Sequence, residues 1–232
     1  MADIDFKKFE EKAGTDFQDK SLLKQAFTHR SYINENKGSK LAHNERLEFL
    51  GDAVLELVVT DFLFEKYEDK PEGELTTYRS ALVNAVTLSE VASNLNMNDY
   101  LLLSRGEAKD NGRARQFILA NTIEAVIGAI YLDQGYDEAQ SFIDTHVLAF
   151  ADKMIAKGNL VDAKSTFQEK AQEHTGITPA YKLIKDSGPD HDKSFTVGVY
   201  IGKDKVAEGE GKSKQEAEQS AAQRALSAKE WN

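Results

Sequence analysis

The sequence predicts two folded parts of different class: an all-α domain, then a small α+β domain of order α-β-β-β-α. Three observations carry this. Apolar residues recur at helical spacing almost continuously through residues 1–155. The stretch "KGNLVDAK" (157–164) ends that pattern with Gly158 and Asn159. Beyond Gly176, short alternating runs separated by turn residues replace the helical period. The expected division is a domain over 1–156, a linker over 157–161 and a second domain over 162–232.

In the first part, helical spacing covers 4–12, 19–30, 44–67, 74–95, 115–132 and 136–155. Breaks fall at "NENKGSK" (34–40), "DKPEG" (69–73) and "SRGEAKDNGRA" (104–114), and no strand pattern occurs. Asn44 is expected to cap the helix that begins "NERLEFLGDAVLELVV". In the second part, "AKSTFQEKAQEHTG" predicts an amphipathic helix ending at Gly176. Strands are expected in "AYKLIKDSGP", "SFTVGVYIGKD" and "KVAEGEGKS", with turns at 187–189 and 202–204, before a last helix "KQEAEQSAAQRALSAK".

Composition narrows the function classes. The 232 residues contain no cysteine, so disulfide scaffolds and thiolate zinc sites are excluded. The start "MADIDFKKFEEK" lacks a basic region followed by an apolar stretch. No window reaches the roughly 18 uncharged apolar residues of a membrane span. The expectation is a cytoplasmic protein without a membrane partner. The net charge of −10 argues against a nucleic-acid binder read from bulk charge alone. From Asp162 onward, however, 11 Lys and Arg meet 12 Asp and Glu, so nearly all the acidity lies earlier.

Part of that acidity is organised. At about 100° per residue, Glu45, Glu48, Asp52 and Glu56 fall within an arc of roughly 80°. Leu47, Leu50, Val54, Leu57 and Val58 are expected on the opposing side. A solvated surface face is the plain reading of such a stripe. Phe49 and Leu55 at its margins, and Gly51 in mid-helix at about 1 kcal/mol relative to alanine, point instead to a cleft or interface where another backbone comes close. Carboxylates without cysteine or clustered histidine favour hard cations, Mg²⁺ or Mn²⁺.

A second acidic position lies in "FILANTIEAVIGAIYLD" (117–133), where Glu124 is the one ionisable residue before Asp133. Asn121 and Glu124 are spaced i, i+3 and project from one helix edge, as Glu45 and Glu48 do from theirs. Two readings stand: the two edges meet around a metal, or Glu124 pairs with a buried Arg or Lys.

"HNERLEFLGDAVLEL" (43–57) resembles the signature of the ribonuclease III family, endonucleases of double-stranded RNA. "AFTHRSY" (26–32), "EGELTTYRSALVN" (72–84) and "ILANTIEAVIGAIYLDQGY" (118–136) resemble its other blocks in the same order. "AKSTFQEKAQ", "GPDHDKSF" and "GKSKQEAEQSAA" are similar to its double-stranded-RNA-binding domain. The resemblance implies a Mg²⁺-dependent endoribonuclease, a phosphodiester hydrolase in which Mn²⁺ can substitute. It implies a homodimer that cuts both strands to 5′-phosphate and 3′-hydroxyl ends with short 3′ overhangs. The implied substrates are ribosomal-RNA precursors and structured messenger RNAs. By motif, Glu48, Asp52 and Glu124 fall on metal-binding positions, Asp52 and Glu124 with catalytic roles. Glu45 and Glu72 fall on supporting acidic positions, and Phe49 on the dimer contact. Asn121 stands where the family usually has Asp: its amide oxygen can complete a metal shell but adds no charge. The alternative is therefore a dimeric duplex-RNA-binding protein with weak or no nuclease activity. A structural ribosome-associated protein on the same fold is a further one, opposed by the retained Glu48, Asp52 and Glu124.

A-form RNA is read mainly by shape, through 2′-hydroxyls and phosphates. The resemblance assigns that contact to Thr166, Gln168 and Glu169 of the first helix and Pro189 and His191 of the first strand connection. It adds Lys212, Ser213, Lys214 and Gln215 at the start of the last helix, where N–H groups favour phosphate. Gln215 replaces a Lys common in the family, which implies one phosphate contact fewer and a flatter salt dependence. "GEGKSK" lacks phosphate-loop spacing. The histidines show no zinc pairing; His29 and His43 are expected to be structural.

Overall fold

The structure, a computed structural model, describes residues 4–109, 112–149, 163–188 and 193–231. The chain forms two compact units, residues 1–160 and 161–232. The linker expected at 157–161 lies outside the described residues.

The first unit is helical: α1 (Lys7–Ala13), α2 (Lys20–Ala26), α3 (Arg30–Glu35), α4 (Glu45–Lys66), α5 (Glu72–Leu82), α6 (Ala85–Asn94), α7 (Arg113–Gln134) and α8 (Tyr136–Ile143). The last runs into a π-helical turn, Asp144–Leu148. Two stretches with one continuous helical period each form two helices. The stretch 19–30 breaks after Ala26 because Leu102 N donates to Phe27 O at 2.9 Å and His29 N donates to Leu102 O at 3.0 Å. These bonds draw the backbone into a short bridge instead of a helical ladder. The stretch 74–95 breaks at Asn84, whose side-chain oxygen accepts from Thr87 N at 3.0 Å and starts α6. His29 is structural, as expected: its Nδ1 accepts from Ser31 N at the start of α3.

α4 and α7 form the centre of this unit. α7 is the one described helix long and apolar enough to cross a membrane, but 61% of its most apolar window is buried in the protein. Ile118, Leu119, Ile123, Val126, Ile127 and Ile130 pack inward from it, each contributing about 1.5–3 kcal/mol on burial. Phe9 and Phe27 are fully buried and join Phe6 and Tyr100 in an aromatic cluster at the other side of the core.

Two expectations about α4 are overturned. Leu55 is fully buried, whereas Leu57 is 56% exposed. The buried arc is Leu47, Gly51, Val54, Leu55, Val58, Val59 and Leu63; it centres on the glycine that touches α7, not on the mean apolar direction. Asn44 makes no side-chain cap. Its amide instead donates to Ala26 O at 3.1 Å, and its own N–H donates to Thr28 O. Buried at 2% exposure, Asn44 serves as a tie between α2 and α4.

The second unit runs α9 (Ala163–Thr175), β1 (Ala180–Ser187), β2 (Ser194–Ile201), β3 (Asp204–Gly211) and α10 (Lys214–Lys229). The strands form one antiparallel sheet in the order β1-β2-β3. Gly202 turns β2 into β3 at φ +62°, a conformation other residues resist. Phe167, Val199, Ala221, Ala222, Ala225 and Leu226 make the core between the helices and the sheet.

Candidate active site

The site begins with a backbone contact. A Cβ added to Gly51 would lie 1.8 Å from Glu124 O, and one added to Gly128 would lie 2.2 Å from Leu47 O. α4 and α7 therefore cross with no side chain between them. That approach sets the edge bearing Glu48 and Asp52 beside the edge bearing Asn121 and Glu124.

The electrostatic result is specific. Burial, followed by the Asp52 and Glu48 charges, pushes the Glu124 carboxyl up to about 8. Burial also raises Glu48, helped by Glu45 and Asp52, while a hydrogen bond from Asn121 pulls it back down. Among the described residues no Lys or Arg acts on Glu124, so the pairing of Glu124 with a buried cation finds no support there.

Among the described residues, no three His, Asp or Glu side chains already converge on one point. The carboxylates instead line an open edge. A divalent cation along that edge would offset the burial and the carboxylate repulsion that raise Glu124, and the donors are all oxygen. This chemistry fits Mg²⁺ or Mn²⁺.

The surrounding positions differ from one another. Glu45 is drawn outward by Arg30, whose Nη1 lies 3.3 Å from its Oε1. His43 Nδ1 is 3.7 Å from Glu45 Oε2, too far for a hydrogen bond. Glu72 stands apart from the cluster within one chain. It accepts from Thr76 Oγ1 at 3.0 Å and lines a groove with Thr60, Leu63, Phe64, Leu75 and Arg79. Phe49 is 81% exposed at the stripe's margin, and Leu57 and Phe64 continue its face along α4, also exposed.

In the second unit, Gln168 and Glu169 are exposed on α9 and Thr166 is half-buried, with fully buried Phe167 anchoring the turn between them. Lys212, Ser213, Lys214 and Gln215 are all exposed at the start of α10. Ser213 Oγ accepts from Glu216 N at 3.1 Å, and Glu216 Oε2 accepts from Lys212 N at 2.7 Å. Ser213-x-x-Glu216 is the local sequence signal of this cap. Pro189 and His191 lie outside the described residues. Arg30 lies in the "AFTHRSY" block, but its pairing with Glu45 is made only by the fold.

Known proteins resemble this chain over both units. The family model described as Ribonuclease-III-like matches residues 19–150, and that of the double-stranded RNA binding motif matches residues 163–228. Ribonuclease 3 of Borreliella burgdorferi is 46% identical over 223 residues, covering 96% of this chain and 91% of that protein. Ribonuclease 3 of Oceanobacillus iheyensis is 44% identical over 225 residues, covering 96% and 97%. The nuclease domain of ribonuclease III from Campylobacter jejuni superposes with a TM-score of 0.57 at 39% identity, covering 62% of this chain and 97% of that one. The chain belongs to the ribonuclease III family, as an endoribonuclease with a helical nuclease domain and a double-stranded-RNA-binding domain.

Proposed function

We propose that this enzyme hydrolyses both strands of duplex RNA at the α4–α7 seam, using a divalent cation held by Glu48, Asp52 and Glu124. The observation that carries the reading is Glu124, held near 8 by burial and two carboxylates with no Lys or Arg among the described residues to answer them. When bound, such a cation polarises a phosphoryl oxygen and activates water. Glu124, the more buried carboxylate, would hold the cation in its deprotonated form. Asn121 steadies the Glu48 carboxylate by hydrogen bonding to it. Asp52, exposed, faces the incoming backbone. Products with 5′-phosphates and 3′-hydroxyls, and ribosomal-RNA precursors and structured messages as substrates, follow from the family.

A homodimer is part of the proposal. Exposed Phe49, Leu57 and Phe64 on one face of α4 support it. So does the Campylobacter jejuni nuclease domain, described with a region involved in dimer formation. In such a dimer Glu72, remote from the carboxylates within one chain, would act at the subunit boundary.

Asn121 favours a second reading, a dimeric duplex-RNA-binding protein that cuts weakly or not at all. The two separate in one assay: labelled duplex RNA over a Mg²⁺ and Mn²⁺ series, with Asn121→Asp and Glu124→Gln alongside. The active-enzyme reading expects cutting by the parent that Glu124→Gln abolishes. No cutting by the parent at any metal level, restored by Asn121→Asp, selects the second reading.

A further inference from the structure

The face of α7 that carries Asn121 and Glu124 continues toward the helix start through Phe117 and Arg113. At 100° per residue, Arg113, Phe117, Asn121, Glu124 and Gly128 all lie within about 80° of arc. Phe117 and Arg113 both reach the surface. Phe117 is 47% exposed, and the exposed Arg113 guanidinium sits over its ring at 5.8 Å. The neighbouring arginine shows the contrast. Arg115, buried at 8% exposure on the other side of the same turn, donates to Asn98 Oδ1 at 2.8 Å and to Glu107 O at 2.6 Å, tying the preceding loop to α7. One arginine of "RAR" is structural, and its partner is presented outward beside an acidic seam.

We infer that Arg113 and Phe117 form a backbone clamp for the RNA strand being cut, contacting a phosphate some nucleotides along the strand from the scissile one. The inference rests on the proposed function. A wall of carboxylates repels a polyanion everywhere except where a cation sits. Along α7, Arg113 is the exposed positive charge on that wall, roughly 16 Å of helix rise from Glu124. The Phe117 ring lies under the guanidinium at 5.8 Å, so less side-chain freedom is lost when it meets phosphate. A Lys there would keep the charge but lose the planar fork of donors.

The test compares the full-length parent with Arg113→Ala, Arg113→Lys, Phe117→Ala and Phe117→Tyr. Duplex RNA affinity is read by fluorescence anisotropy in EDTA over a salt series, kcat and KM with metal, and oligomer mass by light scattering. Arg113→Ala is expected to weaken binding about five- to tenfold and to flatten the log–log salt slope by roughly 0.9. KM rises correspondingly, and kcat stays close to the parent value. Arg113→Lys recovers part of the loss, Phe117→Ala shows part of it, and Phe117→Tyr behaves as the parent. Parent-like affinity and salt slope in Arg113→Ala overturn the inference while leaving the proposed function intact. A change of oligomer mass in Phe117→Ala without loss of RNA affinity also overturns it, assigning the face to protein contact. A parent that neither binds nor cuts duplex RNA removes both.

Discussion

Both units are built on glycines that let backbones touch, yet the contacts serve opposite ends. In the nuclease domain, Gly51 and Gly128 bring α4 and α7 together so closely that carboxylates from both helices share one seam. In the RNA-binding domain, a Cβ on Gly209 would lie 2.0 Å from Ala221 N, and one on Gly211 would lie 2.6 Å from Ala217 N. There the approach seats an alanine face of α10 on the sheet and leaves the helix start exposed and capped. The first contact concentrates charge in a partly buried place. The second presents charge to solvent at little cost. Close packing by itself is neutral toward function; the residues flanking the glycine decide whether it gathers carboxylates in a partly buried seam or leaves a basic helix start exposed to solvent.

Substituting the glycines breaks each half of this comparison separately and has the largest expected effect. Gly51→Ala places a methyl inside the Glu124 carbonyl, so the helices must separate, at about 3 kcal/mol or more. Calorimetry should show a lowered nuclease transition with loss of cutting. Gly209→Ala should instead lower the RNA-binding-domain transition and duplex affinity. If Gly51→Ala melts and cuts like the parent, the seam described here is wrong.

The next effect sharpens the electrostatic half. An acid whose folded pKa lies above its unfolded value loses its contribution to stability as pH rises between the two values. For Glu124 that window runs from the ordinary carboxylate range near 4.5 to about 8. Metal-free protein should therefore lose stability relative to Glu124→Gln across this window, by a few kcal/mol at most. Mg²⁺ should raise the parent's melting temperature more at pH 8 than at pH 5.5. Parallel pH profiles for the two metal-free proteins would remove the buried-charge account.

The smallest effect is on the relaxed side. Ser213→Ala removes the oxygen that accepts from Glu216 N, at about 1 kcal/mol of local stability. Duplex affinity should fall modestly while the salt slope holds, because no charge is lost. A changed slope would mean that Ser213 contacts phosphate itself.

The elements that were legible share a cause. The last helix, Lys214–Lys229, and the first helix of the RNA-binding domain begin and end at residues with local signals, Ser213 and Gly176. The acidic edges of α4 and α7 were likewise readable from spacing. Windows 19–30 and 74–95 misled because their breaks are made by partners: Leu102, distant in sequence, and an Asn84 cap embedded in a helical period.

By itself, the sequence determined the fold class, the carboxylates proposed for the site and the glycine that lets a second backbone approach. These follow from side-chain chemistry and periodicity, which are local. Tertiary structure alone decided that Glu124 faces the carboxylates of Asp52 and Glu48, that Asn44 ties α2 to α4 instead of capping, and that Leu55 is core while Leu57 is surface. Each of these depends on which side of one helix another helix crosses. Periodicity defines a face to within a turn; the depth and direction of contact at Gly51 settle the rest.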